Sequence, residues 1–281
     1  MAELDKEKIG YQDGHPLNGY IPSPPDDRDY TLEMVCAIDN EELPEEYITD
    51  KEIPILNQGI NSDCVAHAIA SATAHGQHKI DGHFNDLSRG YIYGNRKITD
   101  YQGEGMCVRQ ALKNFNHDGD CLIIKFPYTG SYPAMKAKIA ENSKEYAEAA
   151  AKLKLVNYFR LYSEKEIKRA IMLQGSVLLC MTTYNTFGTH IKLPDKNAKK
   201  SGGHAMCCIG WDKDGWVIQN SWGALWGDHG YCYLPYEYPV DEWWGLTVSK
   251  TVPQPEKDSF FKRLLGFFKS IITRLKNLFH K

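Results

Sequence analysis

No run of about 18 apolar residues occurs anywhere in the chain, so no segment is suited to cross a bilayer as a helix. No basic excess occurs either. Lys and Arg number 33 against 36 Asp and Glu, a net charge of −3. Without a basic face, no nucleic-acid partner is expected. The eight cysteines, at 36, 64, 107, 121, 180, 207, 208 and 232, include no CxxC pair. The histidines at 67, 75, 78 and 83 do not form HExxH, so no metal and no other cofactor is expected. The charged start Met1-Ala2-Glu3-Leu4-Asp5-Lys6-Glu7-Lys8 is not followed by an apolar stretch. It reads as no secretory leader, and the expected compartment is cytoplasmic, with most cysteines free and buried.

What is present is ordinary globular material. The 281 residues are 42% hydrophobic and 12% aromatic, enough for one large domain or two closely packed lobes around a cleft. Residues 1–50 carry Pro16, Pro22, Pro24, Pro25 and Pro44 among many acidic residues. They read as an extended arm lying on the body and covering a cleft. Residues 51–252 read as the main domain. The Ala-rich stretch from Cys64 to about Lys79 predicts a helix with Asp63 as its N-cap. Further helices are expected near 108–115, over 133–154, and over 163–173, where Ser163-Glu164-Lys165-Glu166 resembles a capping box. After Gly175 the pattern turns strand-like, at 177–182, 205–211, 216–220, 231–234 and 246–248. Asp212-Lys213-Asp214-Gly215 reads as a hairpin turn; as a calcium loop it lacks the distal Glu. Helices first and strands second give an α+β protein of two lobes.

One ordered set of residues carries chemistry. Cys64 follows Gln58 by six residues, and Gly202-Gly203-His204 and Asn220-Ser221-Trp222-Gly223 come far downstream. A thiol near pKa 8.5 is mostly protonated at neutral pH, yet the thiolate is the nucleophile. At a helix start, unpaired amides and the helix dipole favour that anion. His204 is the candidate base and acid, and Asn220 the group orienting its ring. Trp222 and Trp226 would shield that contact from water. Gln58 and the Cys64 N–H are candidate donors to a developing oxyanion.

These residues resemble a papain-like (C1 family) cysteine peptidase, of the bacterial and viral branch without a long cathepsin-like propeptide. The resemblance runs from about Gly19 to Pro239, through Gln58-Gly59…Cys64, Gly103-Glu104-Gly105-Met106, Phe126-Pro127-Tyr128, Gly202-Gly203-His204 and Asn220-Ser221-Trp222-Gly223. His204 follows Cys64 by 140 residues, within the roughly 130–150 of that family. The resemblance implies a helical left lobe, an antiparallel barrel-like right lobe and an active-site cleft between them. It also implies a Cys64 thiolate/His204 imidazolium pair that hydrolyses peptide bonds through a thioester. Gly103, Gly105 and Met106, with Gly203 and Trp222, would contact an extended peptide or protein substrate. The chain departs from the family at three positions. Asn61 stands where many secreted relatives have a disulfide cysteine, Val65 replaces the usual Trp, and Asp63 puts a carboxylate beside the thiol.

Residues 253–281 differ from all this. After the Pro253–Pro255 hinge, apolar residues from Phe260 to Phe279 share one helical face. Six Lys and Arg stand against a single Asp from Asp258 to Lys281. A basic amphipathic helix of this kind suits peripheral membrane contact through Phe260–Lys281, or docking on the body or on a partner. No feature sets an oligomeric state. Two other functions stay open: transfer of the acyl group to an amine, as in a transglutaminase-like ligase, and a catalytically silent papain fold used as a membrane- or partner-binding module.

Overall fold

The computed structural model describes residues 11–35, 42–96 and 104–252. Gly103, Cys36 and the segment Phe260–Lys281 lie outside the described residues. The chain separates into two units, Met1–Thr251 and Val252–Lys281, and the fold below is that of the first.

The arm opens with the short strands β1 (Tyr11–Gln12), β2 (His15–Pro16) and β3 (Tyr20–Ile21), then helix α1 (Leu32–Val35) and strand β4 (Tyr47–Ile48). The helical part follows as α2 (Cys64–Asp81), α3 (Arg89–Gly94), strand β5 (Met106–Cys107), α4 (Val108–His117), α5 (Tyr132–Glu141) and α6 (Ser143–Ala150). The remainder is β6 (Leu155–Leu161), α7 (Glu164–Gln174), β7 (Val177–Tyr184), β8 (Lys200–Trp211), β9 (Trp216–Gln219), β10 (Tyr231–Leu234) and β11 (Glu242–Val248). The expected α+β architecture is present.

Every residue of α2 from Cys64 through Gln77 is buried. A helix hydrophobic all round belongs inside a protein, and its alanines permit close approach to β8 and β11. It ends at Gly82, whose φ of 71° suits the left-handed C-cap. Asp63 precedes the helix but does not cap it with its side chain. Helix α7 begins as the sequence implies: the Ser163 hydroxyl accepts from Glu166 N–H, and the Glu166 carboxylate accepts from Ser163 N–H. The single helix expected over 133–154 is two. Asn142, at φ −137° and ψ 44°, leaves the helical region and starts α6 afresh.

Seven strands form one antiparallel sheet in the order β10-β9-β8-β7-β11-β6, with β4 added beside β8, while β1 pairs with β2 and β3 with β5 in two small sheets. The predicted 212–215 turn joins β8 to β9, closed by Asp212 N–H donating to the Gly215 carbonyl at 2.9 Å. Strand β6 carried no sequence expectation; it lies at the sheet edge against β11. The core of this layer is aromatic and aliphatic, with Phe159, Trp211, Met206, Ile218 and Trp222 all buried. Among the described residues, the seven cysteines are free thiols, six buried and Cys107 partly exposed.

Candidate active site

The nucleophile candidate and its partners come from opposite layers. Cys64 is the first residue of α2, His204 lies in β8, and Asn220 and Trp222 follow the end of β9. The tertiary fold closes these sequence distances. Gln58 N–H donates to the Ser221 carbonyl at 2.9 Å and Gly223 N–H to the Leu56 carbonyl at 2.9 Å, so the loop before α2 is sewn to the loop after β9.

His204 Nε2 is 2.8 Å from Asn220 Oδ1. Ser221 N–H donates to the same atom at 2.8 Å, which identifies it as the amide oxygen. An amide oxygen only accepts, so Nε2 carries the hydrogen and Nδ1 is the bare nitrogen. His204 Nδ1 is buried and has no hydrogen-bond partner among the described residues. That is the tautomer a base needs. Trp222 covers the ring at 5.0 Å between centroids, and Phe187 meets it edge-on at 5.8 Å. Trp226 packs on Trp222 at 4.9 Å. Phe187 carried no sequence expectation, since one aromatic in a loop between strands has no periodic signal.

Gln58 is fully buried and fixed at both ends of its amide. Its Nε2 donates to the Asn61 carbonyl at 2.8 Å, and its Oε1 accepts from Ser221 Oγ at 2.7 Å. One N–H of the amide remains, on a side chain whose orientation is set by its neighbours. Ser221 is therefore part of the site, though the sequence had marked it only as a member of a motif.

Asp63, the carboxylate beside the thiol, faces inward. It accepts from Tyr128 OH at 2.6 Å and lies 3.3 Å from His67 Nδ1. Burial raises the Cys64 pKa, and the Asp63 charge adds to it. Together they push the thiol up to about 12, against the pull of the Ala205, Val65 and Cys64 backbone N–H groups. Burial likewise brings His204 down to about 4, partly offset by its bond to Asn220. In this closed arrangement the couple is held neutral.

The burial has a visible source, the arm. Gly19 passes so close to Cys64 that a Cβ there would lie 2.5 Å from Sγ. Every described position expected to touch substrate touches the arm instead. Met106 N–H donates to the Gly19 carbonyl at 2.9 Å, in the parallel pairing of β3 with β5. Gly203 N–H donates to the Leu17 carbonyl. Gly105, at φ 92°, has the Asn18 carbonyl 2.7 Å from where a Cβ would stand. Trp222 stacks on His15 at 4.8 Å and 8°. The pair Gly202-Gly203 is glycine because the arm's carbonyls occupy the space of any side chain.

Comparison with known proteins is consistent with this chemistry. The family model described as papain family cysteine protease matches residues 48–241. An uncharacterized peptidase C1-like protein of Acanthamoeba polyphaga mimivirus is 26% identical, covering 80% of this chain and 83% of that protein. The thiol protease aleurain of Arabidopsis thaliana is 28% identical over 63% of this chain and 51% of its own length. Among solved structures, xylellain, a cysteine protease from Xylella fastidiosa, matches with a TM-score of 0.71 and 25% identity, over 89% of this chain and 100% of that one. The fold is also that of procathepsin B from Trypanosoma congolense, at a TM-score of 0.66 and 16% identity, over 84% of this chain and 87% of that one. Because the matched stretch takes in Gln58, Cys64, His204 and Asn220 together, the chain belongs to the papain family of cysteine proteases.

Proposed function

We propose that Cys64, His204, Asn220 and Gln58 carry out peptide hydrolysis in this chain, and that the N-terminal arm holds the site closed. The observation that carries the catalytic assignment is the His204–Asn220 bond, which leaves Nδ1 unprotonated and buried beside the thiol's helix. With the arm displaced, His204 Nδ1 takes the proton of Cys64, and the sulfur attacks the peptide carbonyl. The Gln58 amide and the Cys64 N–H, at the N-terminus of α2, donate to the oxyanion. His204 then protonates the leaving amine, leaving a thioester. It next takes a proton from water, whose attack releases the acid and frees the thiol.

A peptide-library cleavage assay tests the assignment. The chain freed of residues 1–45 should cleave, and the same chain with Cys64→Ala should not. Failure of a thiol-directed epoxide to label Cys64 in the chain freed of residues 1–45 would return it to the reading of a silent fold. Resolution by an amine instead of water is tested by product analysis with and without added amine; the names of the relatives favour water.

The arm as inhibitor is supported by the contact of Gly19 with Cys64. Removing residues 1–45 should raise turnover, and unchanged turnover would count against the assignment. The basic amphipathic segment Phe260–Lys281 is proposed as a peripheral membrane contact. Its charge predicts retention on anionic rather than neutral vesicles.

A further inference from the structure

One side chain of the arm enters the body beside the nucleophile. Tyr20, next to Gly19, is 5% exposed, and its phenol O–H donates to Glu242 Oε1 at 2.9 Å. Its ring lies against Gly203, where a Cβ would meet Tyr20 Cδ1 at 3.0 Å. Glu242 begins β11 opposite Cys180 of β7, and it is itself only 4% exposed. The pocket holding Tyr20 thus opens one residue from the thiol and is closed at its base by a buried carboxylate.

The two carboxylate oxygens differ. Oε2 accepts from Trp244 Nε1 at 2.7 Å and faces Arg160 Nη1 at 3.0 Å, both from the sheet. Oε1 accepts from Tyr20 O–H and Ser23 N–H, both from the arm. When the arm leaves, Oε2 keeps its partners and Oε1 loses both that it has from the arm. A buried carboxylate oxygen without donors is costly, so a substrate that supplies one is favoured. A cation is the less suitable donor. Arg160 already balances the carboxylate, and its guanidinium lies 4.8 Å from the Trp244 ring, with that of Arg109 at 5.6 Å. A lysine or arginine would add a positive charge to a corner where Glu242 already has the Arg160 guanidinium and Arg109 is paired with Asp29.

We propose that Glu242 sets the specificity of this peptidase: the pocket that Tyr20 fills takes a substrate tyrosine, whose phenol O–H is donated to Glu242 Oε1. The proposal rests on the hydrolytic assignment above and adds a substrate class to it. Phenylalanine fills the same space and leaves Oε1 bare. A site built around a hydroxyl rejects the analogue that lacks it more strongly than an apolar pocket rejects a missing methylene.

The test uses the full chain carrying Gly19→Val, whose side chain would collide with Cys64 Sγ and the Ser62 backbone, outside the pocket, and should push the arm out. Matched fluorogenic peptides vary one residue near the scissile bond among tyrosine, phenylalanine, O-methyltyrosine, lysine and arginine. Tyrosine should exceed all the others in kcat/KM by about tenfold or more. Glu242→Gln should keep the preference for tyrosine over phenylalanine, because an amide oxygen still accepts. Glu242→Leu should abolish it. O-methyltyrosine needs no protein variant, so it decides the matter even where Glu242→Leu does not fold. Peptidyl epoxides bearing tyrosine or phenylalanine read the same pocket through the rate of Cys64 labelling. Equal rates for tyrosine, phenylalanine and O-methyltyrosine, or a preference for lysine or arginine, would overturn the proposal while leaving the peptidase intact. Absence of both cleavage and labelling would overturn the two together.

Discussion

At the scale of single residues, the site depends on a few contacts whose loss has a calculable sign. Asn220→Ala removes the acceptor that fixes the His204 tautomer. A buried hydrogen bond of this kind contributes about 1–3 kcal/mol, so kcat/KM should fall roughly 5- to 150-fold. The acid limb of the pH–rate profile should move with it, because the Asn220 bond is what raises the imidazole pKa against burial. A purely structural role would leave that limb in place. Gly19→Val acts in the opposite direction. The residue has no positive φ to protect, so its cost is a collision of the new side chain with Cys64 and with the Ser62 backbone. The arm should be pushed out and Cys64 alkylation accelerated. In the intact chain a thiol held up to about 12 has little thiolate at neutral pH, so its alkylation should rise about tenfold per pH unit from pH 7 to 9. In Gly19→Val the rate should flatten at lower pH.

At the scale of elements, local signals were legible and long-range ones were not. Helix α7 could be read because Ser163 and Glu166 satisfy each other's backbone within one turn. Ser163→Ala should lower stability by about 1 kcal/mol and leave kcat/KM unchanged, which thermal unfolding and a peptide assay would check together. The start of α2 was legible from its alanines. Its N-cap was not, because Asp63 turns instead to Tyr128 and His67, 65 and 4 residues away in sequence. The break between α5 and α6 lacked a Gly or Pro to announce it; Asn142 makes it through its backbone angles alone. The arm was legible as extended from its prolines. Its path through the site depends on β5 and on Gly202-Gly203, and no neighbouring residue encodes that pairing.

At the scale of the whole molecule, the order of Cys64, His204 and Asn220 along the chain pointed to the fold and to the family of cysteine proteases. Glu242 escaped notice because its meaning comes from Tyr20, 222 residues away, and from Arg160 on another strand. Burial of histidines also gives the molecule a pH dependence. Burial pulls His75 and His204 down from 6.5 to about 4. The unfolded chain therefore binds protons first as pH falls, and stability present above about pH 6.5 is lost down to about pH 4. Each group contributes at most about 3 kcal/mol to that loss. Tm should drop across this window, and His75→Gln, which has no proton to gain there, should make the drop shallower. A Tm constant from pH 7 to 4.5 would contradict the buried, neutral state of both rings.

The arm that lays Gly19 on Cys64 is part of the same polypeptide, and this has a kinetic consequence. A separate inhibitor dissociates on dilution; a tethered one stays at an effective concentration set by its linker, in the millimolar range for short flexible links. The balance between closed and open molecules is then the same at any protein concentration. Opening is a first-order event in each molecule, and only cutting of one molecule's arm by another can make the onset of activity accelerate with concentration.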